Sequence, residues 1–175
     1  MTTAPTAPTP ALPDLHHLLG LTDLDPPLVS ALLAHTAPAG APVPTELSQK
    51  RRKEIRAGFV LLKDAGVVMS FTPRETHAVD FGEPLGAGTH VLSALFYYPE
   101  GSEEVEPYTG HAPFAEGPVD SREQALAAYG APSDGEEEEG VVEWEQWQLD
   151  GRELTADYAD DGAVLTLTVA LPLAM

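Results

Sequence analysis

The stretch VVEWEQWQLDGRELTADYADDGAVLTLTVAL, residues 141–171, constrains the fold more than any other part of the chain. Three segments of roughly period-two hydrophobicity are separated by Asp150-Gly151 and by Asp160-Asp161-Gly162. A two-residue Asp-Gly connection between such segments signals a hairpin, because the tight turns that match strand twist need positive φ at their central residues. The stretch therefore reads as a three-stranded antiparallel meander. In its last strand Leu165, Leu167, Val169 and Leu171 share one face and the threonines the other, which predicts one buried and one wet face. Trp144 and Trp147 are three apart and share a face only if a bulge near Glu145 and Gln146 intervenes; without it, one indole points inward and the other outward.

Directly upstream, DSREQALAAYGAP carries complete helix punctuation. Ser121 can accept from the Gln124 amide while the Gln124 side chain reaches back to Ser121, with Asp120 and Glu123 near the positive end of the helix dipole. Ala125, Leu126, Ala128 and Tyr129 are the expected packing residues, and Gly130 followed by Pro132 stops the helix. The four glutamates Glu136–Glu139 then read as a solvated loop projecting beyond it.

The first half repeats this order in pattern, though not in residue identity. PDLHHLLGL places Leu15, Leu18 and Leu19 at helical spacing ahead of Gly20. LDPPLVSALLAH predicts a second helix with Asp25 as N-cap, prolines in the first turn and a stripe of Leu28, Val29, Leu32 and Leu33. IRAGFVLLKDAGVVMSF reads as two strands joined at Asp64-Ala65-Gly66, and HVLSALFYYPEG as a third stopped by Pro99 and Gly101. Between them ETHAVDF is compatible with a further short strand. The expected fold class is α+β, with two modules in tandem, each a helical start followed by a three-stranded antiparallel meander; the alternative is that both meanders share one sheet. Residues 13–100 form the first module, 101–118 a polar linker rich in Pro and Gly, and 119–175 the second. Residues 1–12, which alternate Thr, Ala and Pro, are expected to be a disordered tail.

Charge is distributed as unevenly as pattern is repeated. Of a net −19, residues 1–74 contribute almost nothing, with seven Lys/Arg against six Asp/Glu, whereas residues 75–175 hold only Arg122 and Arg152 against 22 acids. Such a surface repels nucleic acid and anionic membrane and speeds encounter with a basic partner. The one basic segment, KRRKEIR at 50–56, has only Phe59 nearby for base stacking, so it reads as a solvated strand or helix start that neutralises the acidic half in cis. No apolar run approaches the roughly 18 residues of a membrane span. The first residues lack a secretory pattern, which makes a cytoplasmic protein the expectation.

Chemistry is hard to find. None of the six histidines is paired at a metal-ligand spacing, and the adjacent His16 and His17 diverge on a helix. Asp160-Asp161-Gly162 lacks the alternating acids of a calcium loop. There is no cysteine, no Gly-x-Ser-x-Gly, no evident Ser-His pairing and no phosphate-binding glycine loop with its lysine. The expectation is a protein that is not an enzyme, with no catalytic residue, metal site or cofactor.

YTGHAPFAEGPVDSREQALAAYGAP, followed by the Trp-bearing meander, resembles modules of bacterial immunity-type proteins from polymorphic toxin systems. The matching positions are Tyr108, Gly110, Pro113, Ser121, Arg122, Gly130, Pro132, Trp144, Asp150, Gly151, Tyr158, Asp161 and Gly162, within residues 108–171. The helix-plus-meander repeat is also similar to the tandem modules of the β-lactamase-inhibitor-like fold. The resemblance implies a small protein that works by binding, in line with the charge: an immunity or inhibitor protein occluding a basic partner such as a toxin nuclease. Glu136, Glu137, Glu138, Glu139, Glu143, Trp144, Glu145, Trp147 and Asp157 are the expected contact residues. The alternative is a stand-alone structural or stress-related α+β domain whose acidity serves only solubility.

Overall fold

The computed structural model describes residues 9–38 and 40–173. Most of the expected tail lies outside the described residues, and the part that is described leads into a 3₁₀ helix at Leu12–Leu18. Helices α1 (Pro26–Thr36) and α2 (Gln49–Ala57) follow, then strands β1 (Phe59–Leu62) and β2 (Val67–Pro73), helix α3 (Arg74–Phe81) and strand β3 (His90–Tyr97). Helix α4 (Arg122–Tyr129) precedes β4 (Asp134–Glu138), β5 (Val141–Leu149), β6 (Arg152–Tyr158) and β7 (Val164–Ala170). The class is α+β, with both meanders in one antiparallel sheet ordered β1-β2-β3-β7-β6-β5-β4.

Register explains where the core lies. Val60, Met69, Leu95, Val169, Leu154 and Trp147 are successive cross-strand partners over six strands, and all are buried. A neighbouring row runs Leu62, Val67, Tyr97, Leu167, Ala156, Glu145 and Gly135. Because side chains alternate along a strand, both rows point to the same face. Leu15, Leu18 and Leu19 of the N-terminal segment, Leu28 and Leu32 of α1, Ile55 of α2, and Ala125 and Tyr129 of α4 join the same cluster. On the opposite face Thr155, Thr166 and Thr168 remain partly exposed, as the alternation in β7 requires. Leu165 departs from the expected stripe. A register shift at Asp157/Tyr158 pairs Tyr158 with Val164, so Val164 fills the core position and Leu165 is 43% exposed.

Local chemistry sets the turns and caps. Asp150 and Gly151 both have positive φ, 51° and 73°, as the hairpin signal demands. Gly66, at φ +75°, is required twice over, since a β-carbon there would meet the Glu106 carbonyl oxygen at 2.4 Å. Ser121 Oγ accepts from the Gln124 amide at 3.2 Å, but Gln124 Oε1 accepts from the Asp120 amide at 2.6 Å, one residue before the expected donor. Ala128 is exposed, so α4 packs mainly through Ala125 and Tyr129. Asp25 sits at the N-cap of α1 without capping it. Pro26 and Pro27 offer no amide to accept from, and its carboxylate takes the Thr22 amide at 2.6 Å and the Thr22 hydroxyl at 2.8 Å instead.

Two segments differ from expectation, and KRRKEIR takes the helical one of its two expected forms. ETHAVDF is helical, starting directly after Pro73 and ending at Gly82, φ 93°. KRRKEIR lies in α2, capped by Ser48 Oγ on the Arg51 amide at 3.1 Å and closed by Gly58 at φ 108°. The glutamate run is a strand rather than a loop, turning back through Glu139 and Gly140, both at positive φ.

Candidate functional site

Strand β4 is the outermost strand of the sheet and pairs only with β5. Its sequence is DGEEE and every residue in it is exposed. A strand with one side unpaired is a template for another strand, and natural proteins guard such edges with charge. Here Glu136, Glu137 and Glu138, with Glu139 in the turn, supply charge of a single sign. The edge therefore repels a second copy of itself while remaining open to a basic strand.

Beside it, the outer sheet face carries a row of cross-strand partners, Glu136, Trp144, Asp157 and Thr166. β5 and β6 run in unbroken register from Trp144 to Leu149, so no bulge reconciles the two tryptophans. Trp144 lies outward and half-buried, its Nε1 donating to Glu136 Oε2 at 3.0 Å. Trp147 lies inward, 2% exposed, with Nε1 donating to the Gly130 carbonyl at 2.9 Å. A register shift opposite Glu136 and Glu137 does occur, at Glu143.

Of the nine expected contact residues, the structure gathers Glu136, Glu137, Glu138, Glu139, Glu143, Trp144 and Asp157 at this end of the sheet. Glu145 and Trp147 are turned away from solvent, which corrects their expected place in an exposed interface. Parity is the reason: both occupy core rows, and Glu145 is only 4% exposed. Its carboxylate is instead satisfied internally. Arg122 Nε and Nη2 donate to Oε1 and Oε2 at 2.9 and 3.1 Å, and the Tyr158 hydroxyl donates to Oε1 at 2.9 Å. Burial, then this hydrogen bond, raises the Tyr158 phenol well above its ordinary value. Arg122 and Tyr158, which the resemblance singled out, thus tie α4 to the sheet beneath the edge.

Electrostatics at the edge is unrelieved. Among the described residues only Arg51–Glu54 and Arg122–Glu145 form ion pairs, so none of the outward acids is neutralised. The Glu143 carboxyl is held above the usual glutamate range, first because its protonated form donates a hydrogen bond to Glu138, then by desolvation and by the charges of Glu138, Glu136 and Asp160. Desolvation on the sheet face also raises Asp157. A carboxyl whose folded value exceeds its unfolded one costs stability while ionised, and that cost fades as pH falls through the raised value. Asp157→Asn is therefore expected to be more stable than the native chain at about pH 7 and to lose the advantage in mild acid. Urea midpoints measured across that range would show the two curves converging; parallel curves would mean Asp157 titrates as a free side chain.

A hollow of about 980 Å³ lies at the other end of the sheet, beside β1, lined by Phe59, Leu61 and Phe96 together with Lys50, Arg51 and Lys63. The basic segment therefore faces away from the acidic edge. No family model matches the chain, and neither does any curated protein or solved structure. Among the described residues no helix is long and apolar enough to cross a membrane.

Proposed function

We propose that this is a non-enzymatic binding protein, of immunity or inhibitor type, whose β4 edge and adjoining sheet face occlude a basic protein partner in the cytoplasm. The observation that carries the reading is the fully exposed, uniformly acidic edge strand flanked by Trp144 and Asp157. An extended basic segment of the partner would add an eighth strand to the sheet, main chain to main chain, while its Lys or Arg side chains meet the glutamates. For a toxin nuclease that segment would lie at the cleft that attracts phosphates, and the carboxylates would take the phosphates' place. Trp144 is the anchor, an indole already held by Glu136 and lying amid a charged rim. On the same reading the two halves of the chain are tandem helix-plus-meander modules, joined edge to edge where β3 meets β7.

The test uses the tagged protein and its Glu136→Lys/Glu138→Lys variant as baits in lysate of its own cells, at low and high salt. A basic protein retained by the native bait, lost at high salt and absent from the variant is the expected result. With that partner purified, raising salt from low to physiological strength should slow association by about tenfold or more. Trp144→Ala should weaken the complex by about 2 kcal/mol. Bare lanes in both salts, or capture that the charge reversal leaves untouched, would remove the edge as the binding surface and favour a stand-alone domain.

A further inference from the structure

The N-terminal 3₁₀ helix carries a cluster that the acidic edge does not use. Asp14, His16 and His17 each present a donor atom, and the three atoms lie within 4.8 Å of one another. Adjacent residues diverge on a helix, so their spacing conceals this convergence, yet the two imidazole centroids are only 4.2 Å apart. His16 is the fixed member. It is 5% exposed, and Phe114 stacks on it at 4.2 Å with an interplanar angle of 28°. Arg152 Nε donates to its backbone carbonyl at 3.2 Å, which holds the main chain at this point to the start of β6. Its ring, by contrast, makes no hydrogen bond to any described residue. No enclosed side-chain nitrogen or oxygen in the described chain lacks a partner, so neither ring nitrogen is wholly sealed off.

We propose that Asp14, His16 and His17 form a site for one divalent transition-metal ion of the zinc type. Two imidazoles and a carboxylate suit zinc and its neighbours, whereas calcium and magnesium require oxygen donors throughout. Asp14 and His17 are exposed and can swing inward to the bond lengths of about 2.0–2.2 Å that zinc demands, while Phe114 keeps His16 in place. Three protein ligands leave the fourth position to water. Arg152 opposes a cation here, and the carboxylates of Asp14 and Asp150 act against it. The ion would clip the N-terminal segment at a point already tied to β6, so binding should stabilise the whole fold.

Zinc sulfate titrated into the full chain in a calorimeter, with cobalt(II) absorption as a second readout, tests this. The expected result is one equivalent bound, a visible cobalt ligand-field band, and a folded-to-unfolded ratio that rises about 100-fold when free zinc is 100 times its dissociation constant. His17→Ala and Asp14→Asn change exposed side chains and should keep the fold; each should weaken zinc at least about tenfold, because even indirect disturbance of a metal ligand costs that much. Glu136→Gln/Glu138→Gln should leave it unchanged. No zinc-dependent signal in the native chain, or one that survives both ligand substitutions or vanishes with the edge variant, overturns the site.

Discussion

Trp147→Ala is expected to destabilise the fold by about 3–5 kcal/mol, the range for emptying a large aromatic site in a packed core. Typical domains are stable by only about 5–15 kcal/mol, so this is a large fraction of the whole. Three separate contributions are lost. The indole is among the largest fully buried side chains and ends the core row that starts at Val60. It lies against Tyr129 with ring centroids 5.3 Å apart. Its N–H satisfies the Gly130 carbonyl at the close of α4. Trp147→Phe keeps most of the volume and should cost nearer 1–2 kcal/mol, chiefly the hydrogen bond. Trp144→Ala, on the outer face, should move the urea midpoint far less. Equal effects of the two alanine substitutions would mean that the assigned sheet parity is wrong.

Second in size is the pair beneath the edge. Arg122→Met keeps an aliphatic stem over the sheet but removes both donors to Glu145. It is expected to cost about 3 kcal/mol, the low end for breaking a buried ion pair, because the guanidinium is partly hydrated while the carboxylate is not. Glu145→Leu alone leaves the Tyr158 hydroxyl without its partner and should also destabilise. The double variant Arg122→Met/Glu145→Leu should recover much of the loss, since an apolar pair of similar volume removes the uncompensated charge. Chemical denaturation of all four proteins gives the coupling directly. Strictly additive losses would show that the pair contributes no mutual stabilisation.

Much of this architecture was legible wherever packing follows local period. The Asp150-Gly151 hairpin, the alternation in β7 and the Ser121 cap all rest on short-range chemistry, and they fold as that chemistry directs. Helix α2 was obscured because Ile55 is its only buried residue, leaving no apolar stripe; Ser48 and Gly58 at its two ends were the readable signals. Strand β4 was obscured for a different reason. Glutamate disfavours strands, and the run pairs because β5 offers an edge and Glu139-Gly140 a tight turn, so tertiary context overrides propensity. Within the candidate edge, the acids and Trp144 could be seen as a group in the sequence, but the face of each residue could not. A one-residue change of parity separates Trp144 from Glu145, and only register across three strands decides it. The convergence of His16 and His17 was beyond any spacing rule, and neither was the stacking of Phe114 on His16, from nearly a hundred residues away, readable in the sequence.

The position of β7 bears on how the molecule is made. It lies between β3 and β6 and joins the two halves of the sheet, yet it is the last of the seven strands in chain order. During synthesis β1–β3 and β4–β6 must therefore wait as two separate ribbons, each with an uncovered inner edge, until residues beyond Val164 leave the ribosome. At about 5–20 residues per second that interval is short for one chain, but neighbouring ribosomes on one message hold many copies at that stage. The later ribbon carries the exposed acids of β4, and like charge on such an edge disfavours its pairing with another copy before the keystone strand arrives.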